Sequence, residues 1–234
     1  MRKSDPSKIC SNFIQEIERL KAFLDETYEL YNTSNRKDKH QSEICELAFY
    51  RAYVEFESFL SDYFIAAINR KHGKFYATAQ TKVKQSIESK FGTFLKDKLK
   101  FESVKNLTLL QVETLIDSDG KNLTFKTSEE IENRAIDYLE NPFANRVKSV
   151  DSCTLVIIDA ARSIRNCIAH KSKSSFGEMN TQLKNLDQSV CSNQLNTKIN
   201  STRNIGAYLK VKISSGKRID EYFKAFIGYA NHLK

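Results

Sequence analysis

The sequence has few residues that interrupt helices, with only 7 glycines and 2 prolines in 234 residues. These two residue types are the strongest local breakers of regular secondary structure. The apolar residues recur mostly at spacings of three and four, which is the period of an amphipathic helix. We therefore expect an all-α fold, a bundle of about five to eight helices.

The number and spacing of the cysteines also limit the structural roles that they could have. There are 5 cysteines, an odd number, and no Cys-x-x-Cys pair. This pattern argues against a disulfide framework and against a structural zinc site. It favours a reducing, cytoplasmic location.

Long apolar runs and nucleotide-binding motifs are missing as well. The longest strongly apolar stretch, Leu155-Val156-Ile157-Ile158, is far too short to span a bilayer. The polar N-terminus resembles no signal peptide, so we expect no membrane partner. A glycine-rich phosphate loop, a nucleophile elbow and a Rossmann fingerprint are all absent, which gives nucleotide hydrolysis and acyl transfer no support.

Basic residues are in excess, with 37 Lys and Arg against 29 Asp and Glu and a net charge of +8. Such a balance favours polyanionic partners such as nucleic acid. Nucleic acid is therefore one candidate partner.

The first half of the chain contains two strong helix patterns. Asp5 and Pro6 predict the start of a helix that continues to about Tyr28 and is ended by the polar run 32–39. A long second helix is predicted from about Gln41 to His72, with Gly73 as its stop.

The pattern weakens between Thr78 and Lys126, where we expect short helices and a turn around Gly120. Thr127 and Glu130 form a capping box that predicts a helix to Leu139. A further helix is predicted from about Asp151 to His170.

The last part of the chain is more polar. A polar loop or flap is predicted near 171–203, and partial alternation predicts a short strand or hairpin near 205–213. Ser214 or Ser215 is the predicted cap of a last helix. No repeat or clean linker is visible, so 1–234 is interpreted as a single domain.

The helix that ends at His170 has two different faces. On a helical wheel the core face is formed by Cys153, Ile157, Ala160, Ile164, Cys167 and Ile168. The opposite face carries Leu155, Asp159, Arg162, Asn166 and His170. That polar stripe fits a solvated surface, and it also fits a site that uses a guanidinium, an amide and an imidazole for metal-free cleavage of RNA.

The residues at the end of this helix match a known family. Arg165, Asn166 and His170 in the segment RNCIAH resemble the Arg-x4–6-His signature of the HEPN superfamily, in the form similar to its RiboL-PSP-type domains. The segment 49–60, FYRAYVEFESFL, resembles the helix in which those domains carry an acidic residue, and Glu57 takes that place.

The resemblance implies a metal-independent endoribonuclease without a cofactor, in which the 2′-hydroxyl of RNA attacks the phosphate to leave 2′,3′-cyclic phosphate and 5′-hydroxyl ends. It implies that Arg165 stabilises the transition state and that His170 transfers a proton or orients the 2′-hydroxyl. It also implies that Asn166 positions the phosphate or the histidine. Glu57 is the implied supporting residue. We add substrate-binding roles for Arg162, Lys171 and Lys173.

The resemblance also implies a homodimer with a composite active site, and a role in toxin-antitoxin or antiviral defence with an antitoxin or regulatory partner. An ideal helix supports the dimer, because Arg165 lies about 140° from His170 around its axis. The two meet only if the helix end distorts or a second protomer supplies one of them. The alternative is a non-catalytic helical module that binds RNA or a protein.

Other candidate groups are less specific. His40, His72 and His232 lack ligands at metal-binding spacing, so no metal site is predicted. The lysines between Lys71 and Lys105 fit either a phosphate-tracking surface or a solvated helix face. The aromatic residues among them fit either the core or stacking on bases, and they are Phe75, Tyr76, Phe91, Phe94 and Phe101.

Overall fold

The computed structural model describes residues 3–116, 123–188, 195, 202–213 and 216–234. Within these ranges the fold is all-α, with eleven α-helices, a 3₁₀ turn at Tyr31–Thr33 and one two-stranded antiparallel hairpin. The helices are α1 (Pro6–Leu30), α2 (Lys37–Arg70), α3 (Gly73–Phe91), α4 (Thr93–Lys98), α5 (Leu109–Ile116), α6 (Ser128–Tyr138), α7 (Phe143–Lys148), α8 (Ser152–His170), α9 (Lys173–Gln188), α10 (Ile205–Lys210) and α11 (Arg218–Leu233). The strands are β1 (Lys212–Ile213) and β2 (Gly216–Lys217).

The predicted helix starts are confirmed where a capping side chain marks them. The Asp5 carboxylate accepts a hydrogen bond from the Ser7 amide at 3.1 Å, which fixes the start of α1. At α6 the Thr127 hydroxyl accepts from the Glu130 amide at 3.1 Å. Gly73 is the first residue of α3 rather than a stop after α2, which ends at Arg70.

The predicted loop over 171–203 is wrong for its first half. Helix α9 occupies Lys173–Gln188 because Met179, Leu183 and Leu186 form an apolar stripe that is buried. The polar residues between them face outward and gave the segment its loop-like composition. The rest of the predicted flap, apart from Leu195 and the residues after 201, lies outside the described residues, as does the predicted turn around Gly120.

Two predictions near the C-terminus are corrected. Residues 205–210 form α10 rather than a strand, since the Asn204 side chain accepts a hydrogen bond from the Ala207 amide at 2.9 Å and caps a helix there. The hairpin itself is confirmed, but it begins only at Lys212. Helix α11 is preceded by Lys217 as its cap rather than by Ser214 or Ser215, which lie outside the described residues.

The chain divides into two compact units, Met1–Ile9 with Leu60–Ser149 and Cys10–Phe59 with Val150–Lys234. Each unit consists of two separate stretches of the chain, and α2 contributes residues to both units. The single-domain interpretation stays a prediction. We call them the first and the second unit. No helix of the described residues is both long enough and apolar enough to cross a membrane.

The core of each unit is rich in aromatic rings. In the first unit Phe64 packs against Phe125 at a centroid distance of 5.0 Å, and Phe75 meets Tyr138 edge-on at 5.3 Å. In the second unit α2 packs on α11 through Phe56 and Phe226, which stack at 4.9 Å. Helix α8 packs against α9 and α11 in the same unit. It is therefore held by a core that the aromatic rings of α2 and α11 build.

Replacing Phe56 by alanine is expected to lower the free energy of unfolding by about 3–5 kcal/mol, since the whole ring is buried and its loss leaves a cavity. Urea denaturation followed by circular dichroism measures this. Phe23→Ala is the matched control, because the Phe23 ring is 55% exposed and its loss should change stability by under about 1 kcal/mol. Equal losses in the two variants would contradict this description of the core.

Candidate active site

Helix α8 carries the Arg165–His170 motif in its last two turns. At its start the Asp151 carboxylate accepts hydrogen bonds from the Thr154 amide at 2.9 Å and from the Thr154 hydroxyl at 2.7 Å. These bonds lower the pKa of Asp151 below its ordinary value. At its end Lys171 adopts a left-handed conformation with φ 47° and donates its amide to the Cys167 carbonyl at 2.9 Å. The helix continues without interruption to His170.

The two predicted faces of α8 are recovered in the second unit. Ile157, Ala160, Ile164 and Cys167 of the predicted core face are buried. The two ends of that face, Cys153 and Ile168, are half-buried. On the other side the side chains that carry the predicted chemistry are half-buried or exposed, so they are accessible to a ligand.

The Arg165 guanidinium is held by three groups. One terminal nitrogen pairs with the Glu57 carboxylate of α2, and the other donates to the Asn166 amide oxygen at 2.8 Å. The Tyr53 ring lies 5.5 Å from the guanidinium carbon. Nε of Arg165 is buried and has no hydrogen-bond partner within the described part of the chain. A buried donor without a partner is unfavourable, so an acceptor that reaches this nitrogen would be stabilised.

Glu57 and Tyr53 form the α2 side of this cluster. The side chains of Arg165 and Glu57 are 22% and 25% exposed, so the ion pair is shielded from water but still reachable. Burial, followed by the charge of Glu57, raises the pKa of Tyr53 far above its ordinary value. The Tyr53 ring is thus a neutral phenol that fixes one face of the guanidinium through a cation–π contact.

Arg162, one turn earlier on α8, has its own carboxylate partner. Its terminal nitrogen donates to Glu178 of α9 at 2.6 Å, and the two side chains are 20% and 43% exposed. Nε of Arg162 is also buried without a partner among the described residues. A phosphate that binds Arg162 must therefore compete with the better-exposed Glu178 carboxylate.

The structure does not bring His170 into the Arg165 cluster. The His170 side chain is exposed, and it forms no hydrogen bond or ion pair with the residues that the structure describes. The helix end is not distorted before His170, so the angular separation of about 140° from Arg165 remains. Lys171 and Lys173 are exposed next to it, which leaves their charges available to phosphates.

An apolar groove of about 440 Å³ lies beside this helix end. The groove is lined by Glu43, Glu46, Leu47, Tyr50, Ile168, Ala169 and Lys171. Leu47 is 64% exposed and Tyr50 38%, although both are large apolar residues. Exposed apolar surface of this kind marks interaction sites more often than solvated faces.

Cysteine and histidine supply no alternative chemistry within the described residues. Cys167, inside the motif, is a buried free thiol, and burial raises its pKa, so it is a poor nucleophile. Burial also raises the pKa of Cys45 to about 12. Cys153 is disulfide-bonded, so the prediction from the cysteine count is wrong at this position.

The described residues contain no group of three or more His, Cys, Asp or Glu side chains that could hold a metal ion. His40 and His72 have structural partners instead. The ring of His40 is hydrogen-bonded to the Ser34 hydroxyl at 3.1 Å, and that of His72 to the Val104 carbonyl at 3.0 Å.

Two residues of the site were not predicted from the sequence. Tyr53 lies one helical turn before Glu57 on α2, so the spacing alone could have placed it on the same face. Glu178 gave no signal, because it lies on α9, which was expected to be a loop.

Comparison with known proteins adds no relative: no protein-family model matches the chain, and neither a curated protein nor a solved structure matches it. The class that the fold and the site define is an all-α protein with a shielded arginine–glutamate cluster and an exposed histidine at one helix end. A functional interpretation therefore rests on these residues.

Proposed function

We propose that this chain is a metal-independent endoribonuclease that cuts RNA by attack of the 2′-hydroxyl on the adjacent phosphate. The observation that carries the proposal is the Arg165 guanidinium, which Glu57, Asn166 and Tyr53 hold in place. Its buried Nε has no hydrogen-bond partner among the described residues. A positioned guanidinium stabilises the extra charge on a five-coordinate phosphate without reorganising first. The resemblance of the motif to the HEPN signature supports the same reaction.

In the proposed reaction His170 takes the proton of the 2′-hydroxyl. The 2′-oxygen bonds to phosphorus while the bond from phosphorus to the 5′-oxygen breaks, and the 5′-oxygen receives a proton from a second imidazole or from water. The products are a 2′,3′-cyclic phosphate and a 5′-hydroxyl, and no cofactor is consumed. Imidazole suits this step because it exchanges protons near neutral pH.

The remaining site residues would bind the substrate. The amide oxygen of Asn166 is used by Arg165, which leaves its amide hydrogens to donate to a phosphate oxygen. Lys171 and Lys173 would contact neighbouring phosphates. Arg162 would do so after exchanging Glu178 for a phosphate, since guanidinium binds both anions in the same forked geometry.

We infer that the active site is completed by a second copy of the chain. Arg165 and His170 point about 140° apart on an undistorted helix, so one copy alone does not direct both at one phosphate. The groove formed by Leu47, Tyr50 and Ile168 offers apolar surface next to His170. A two-fold dimer that covers this groove would bring two α8 ends together into one composite cleft.

A mixing experiment tests the composite site. Arg165→Ala and His170→Ala should each lose at least about 10²-fold in rate when alone, whereas an equimolar mixture should regain a measurable fraction of the wild-type rate. About half of the dimers in a freely exchanging mixture are mixed, and each mixed dimer retains one arginine and one histidine. If the mixture stays as inactive as the two variants under conditions where mass spectrometry detects mixed dimers, the composite site is wrong.

The biological role that fits this activity is a cytoplasmic toxin or an antiviral defence nuclease that an antitoxin or regulatory partner restrains. Uncontrolled cleavage of RNA harms the cell that makes the enzyme. Expression of the wild-type chain without such a partner should therefore slow cell growth, whereas expression of His170→Ala should not.

A second candidate function is a non-catalytic helical module that binds RNA or a protein. The carboxylate partners favour it, because Glu178 and Glu57 already neutralise Arg162 and Arg165 of α8. The two candidates differ in one assay. The module binds RNA and leaves it intact at high protein concentration, whereas the enzyme cuts it in the presence of excess chelator.

A further inference from the structure

A basic arm lies outside the core of the first unit. It comprises residues 76–106, from the residue after the buried Phe75 to the residue before Leu107, and we call it the α3–α4 arm. None of its residues is buried. It contains seven lysines and three acidic residues, so it carries +4 of the chain's net charge of +8. Half of the chain's net charge is therefore concentrated on a segment without a core of its own.

Hydrogen bonds and a ring contact hold the base of the arm in a defined position. The Thr78 hydroxyl donates to the Asp137 carbonyl at 2.9 Å, and the Tyr76 hydroxyl donates to the Glu102 carbonyl at 3.1 Å. Phe75, which is buried, packs edge-on against Tyr138 of α6. Beyond these contacts the second half of α3 and all of α4 are exposed or half-buried.

The lysines of the arm are mostly not neutralised by carboxylates. Lys96 pairs with Glu88 at 2.8 Å, and no other lysine of this fully described segment has an acidic partner. Three of them lie over aromatic rings instead, and these pairs are Lys82 over Tyr138, Lys84 over Phe101 and Lys98 over Phe94. This differs from the second unit, where the α8 arginines and several lysines have carboxylate partners. An external polyanion that reaches the arm therefore meets little competition from carboxylates of the described residues.

Exposed aromatic side chains lie among these lysines. Phe91 is 65% exposed and Phe94 72%, on either side of Gly92, whose φ of 80° turns the chain from α3 into α4. Of the two alternatives given for the aromatic residues, burial in the core is wrong for Phe91 and Phe94, because no described element of the first unit covers this turn. Single-stranded nucleic acid is bound by two kinds of group. Exposed aromatic rings stack on its bases, and cations without carboxylate partners pair with its phosphates.

We propose that the α3–α4 arm binds single-stranded RNA, with Phe91 and Phe94 stacking on unpaired bases and the lysines following the backbone. The choice of RNA rests on the proposed nuclease function, whereas the single-stranded form rests on the exposed rings. An anionic membrane surface fits less well. Lys82 and Lys84 lie about 200° apart around α3, so the charges surround the helix instead of lining one face above an apolar one.

Three variants of the full-length chain test the proposal, each in a His170→Ala background so that the RNA stays intact. The charge variant carries Lys84→Gln, Lys90→Gln, Lys98→Gln and Lys100→Gln. The ring variant carries Phe91→Ala and Phe94→Ala. The control variant removes four exposed lysines elsewhere, Lys8→Gln, Lys148→Gln, Lys184→Gln and Lys212→Gln.

The probe is a fluorescent, unstructured RNA of about 16 nucleotides, long enough for a single-strand site, and anisotropy gives its affinity at several salt concentrations. The charge variant should bind at least about tenfold more weakly, and its salt slope should fall by up to about 3, since each phosphate contact contributes about 0.7 for a single strand. The ring variant should lose at least about fivefold in affinity with an unchanged salt slope. Fivefold corresponds to the loss of one weak stacking contact of about 1 kcal/mol. The control should stay within about twofold of the parent.

Several results would overturn the proposal. One is an equal loss in the control and charge variants, and another is an unaltered affinity of the ring variant. A third is a duplex of the same sequence binding as tightly as the single strand, and a fourth is loss of binding to phosphatidylserine vesicles with RNA binding unchanged. Binding that depends on the arm in a chain whose wild type never cuts RNA would support the arm and refute the nuclease.

Discussion

Replacing His170 by alanine is expected to lower the rate of the proposed RNA cleavage by about 10²–10⁴-fold, the contribution of a side chain that transfers a proton in the rate-determining step. The fold should be unaffected, because the imidazole is exposed and has no hydrogen bond or ion pair with the described residues. Single-turnover cleavage of a labelled RNA measures the rate. A thermal denaturation curve that matches the wild type excludes misfolding as the cause.

The matched control for this variant is His232→Ala. His232 is also an exposed histidine in the last turn of a helix, α11, but it lies outside the motif. Its replacement should change the cleavage rate by less than about twofold, well within the range of neutral surface changes. If His170→Ala cuts RNA as fast as His232→Ala, then His170 has no role in proton transfer.

Replacing Arg165 by alanine should lower the cleavage rate by about 10²–10³-fold, which is the usual loss when one preorganised donor to a developing anion is removed. Arg165→Lys should recover little of this. An ammonium group carries the charge but cannot reach Glu57, Asn166 and a phosphate at the same time with the fixed geometry of a guanidinium. Single-turnover kinetics at saturating RNA separates this loss from weaker binding.

Arg51 provides the control for Arg165. Its guanidinium also pairs with a glutamate, Glu16 at 2.9 Å, but its side chain is 60% exposed and lies far from α8 in the sequence. Arg51→Ala should leave the cleavage rate within about twofold of the wild type. Glu57→Gln, which retains a hydrogen-bond acceptor for Arg165, should lose less activity than Arg165→Ala. Full activity in Arg165→Ala would remove the main support for the proposed function.

Helices with an unambiguous local signal were predictable from the sequence. The starts of α1, α6 and α8 each have a capping side chain directly before an apolar stripe, and the structure uses all three caps. Helix α9 was missed because its abundant serine, asparagine and glutamine concealed a stripe of three apolar residues. Local composition describes the outer face of a helix, whereas burial of the few apolar residues decides whether it forms.

Only part of the candidate site could be predicted from the sequence. That part comprises the motif residues of α8 and Glu57 of α2, which the family resemblance singled out. The sequence placed Arg165, Asn166 and His170 on one helix, which α8 confirms. The structure pairs Arg165 with Glu57, and the supporting role of Glu57 in catalysis stays a prediction. Glu178 could not be predicted, because its contact with Arg162 needs the packing of α9 on α8. The exposure of Phe91 and Phe94 could not be predicted for the same reason, because it depends on tertiary packing. A helical wheel shows an apolar stripe but not whether another element covers it.

The measurement that tests the central claim most directly is the identity of the ends that the wild type produces. The purified protein is incubated with a labelled RNA in excess chelator, in parallel with DNA of the same sequence, and the products are identified by mass spectrometry. We expect cut RNA with 2′,3′-cyclic phosphate and 5′-hydroxyl ends, and intact DNA, because DNA has no 2′-hydroxyl to attack. Intact RNA, cleavage only after a divalent metal is restored, or equal cutting of the DNA would contradict it.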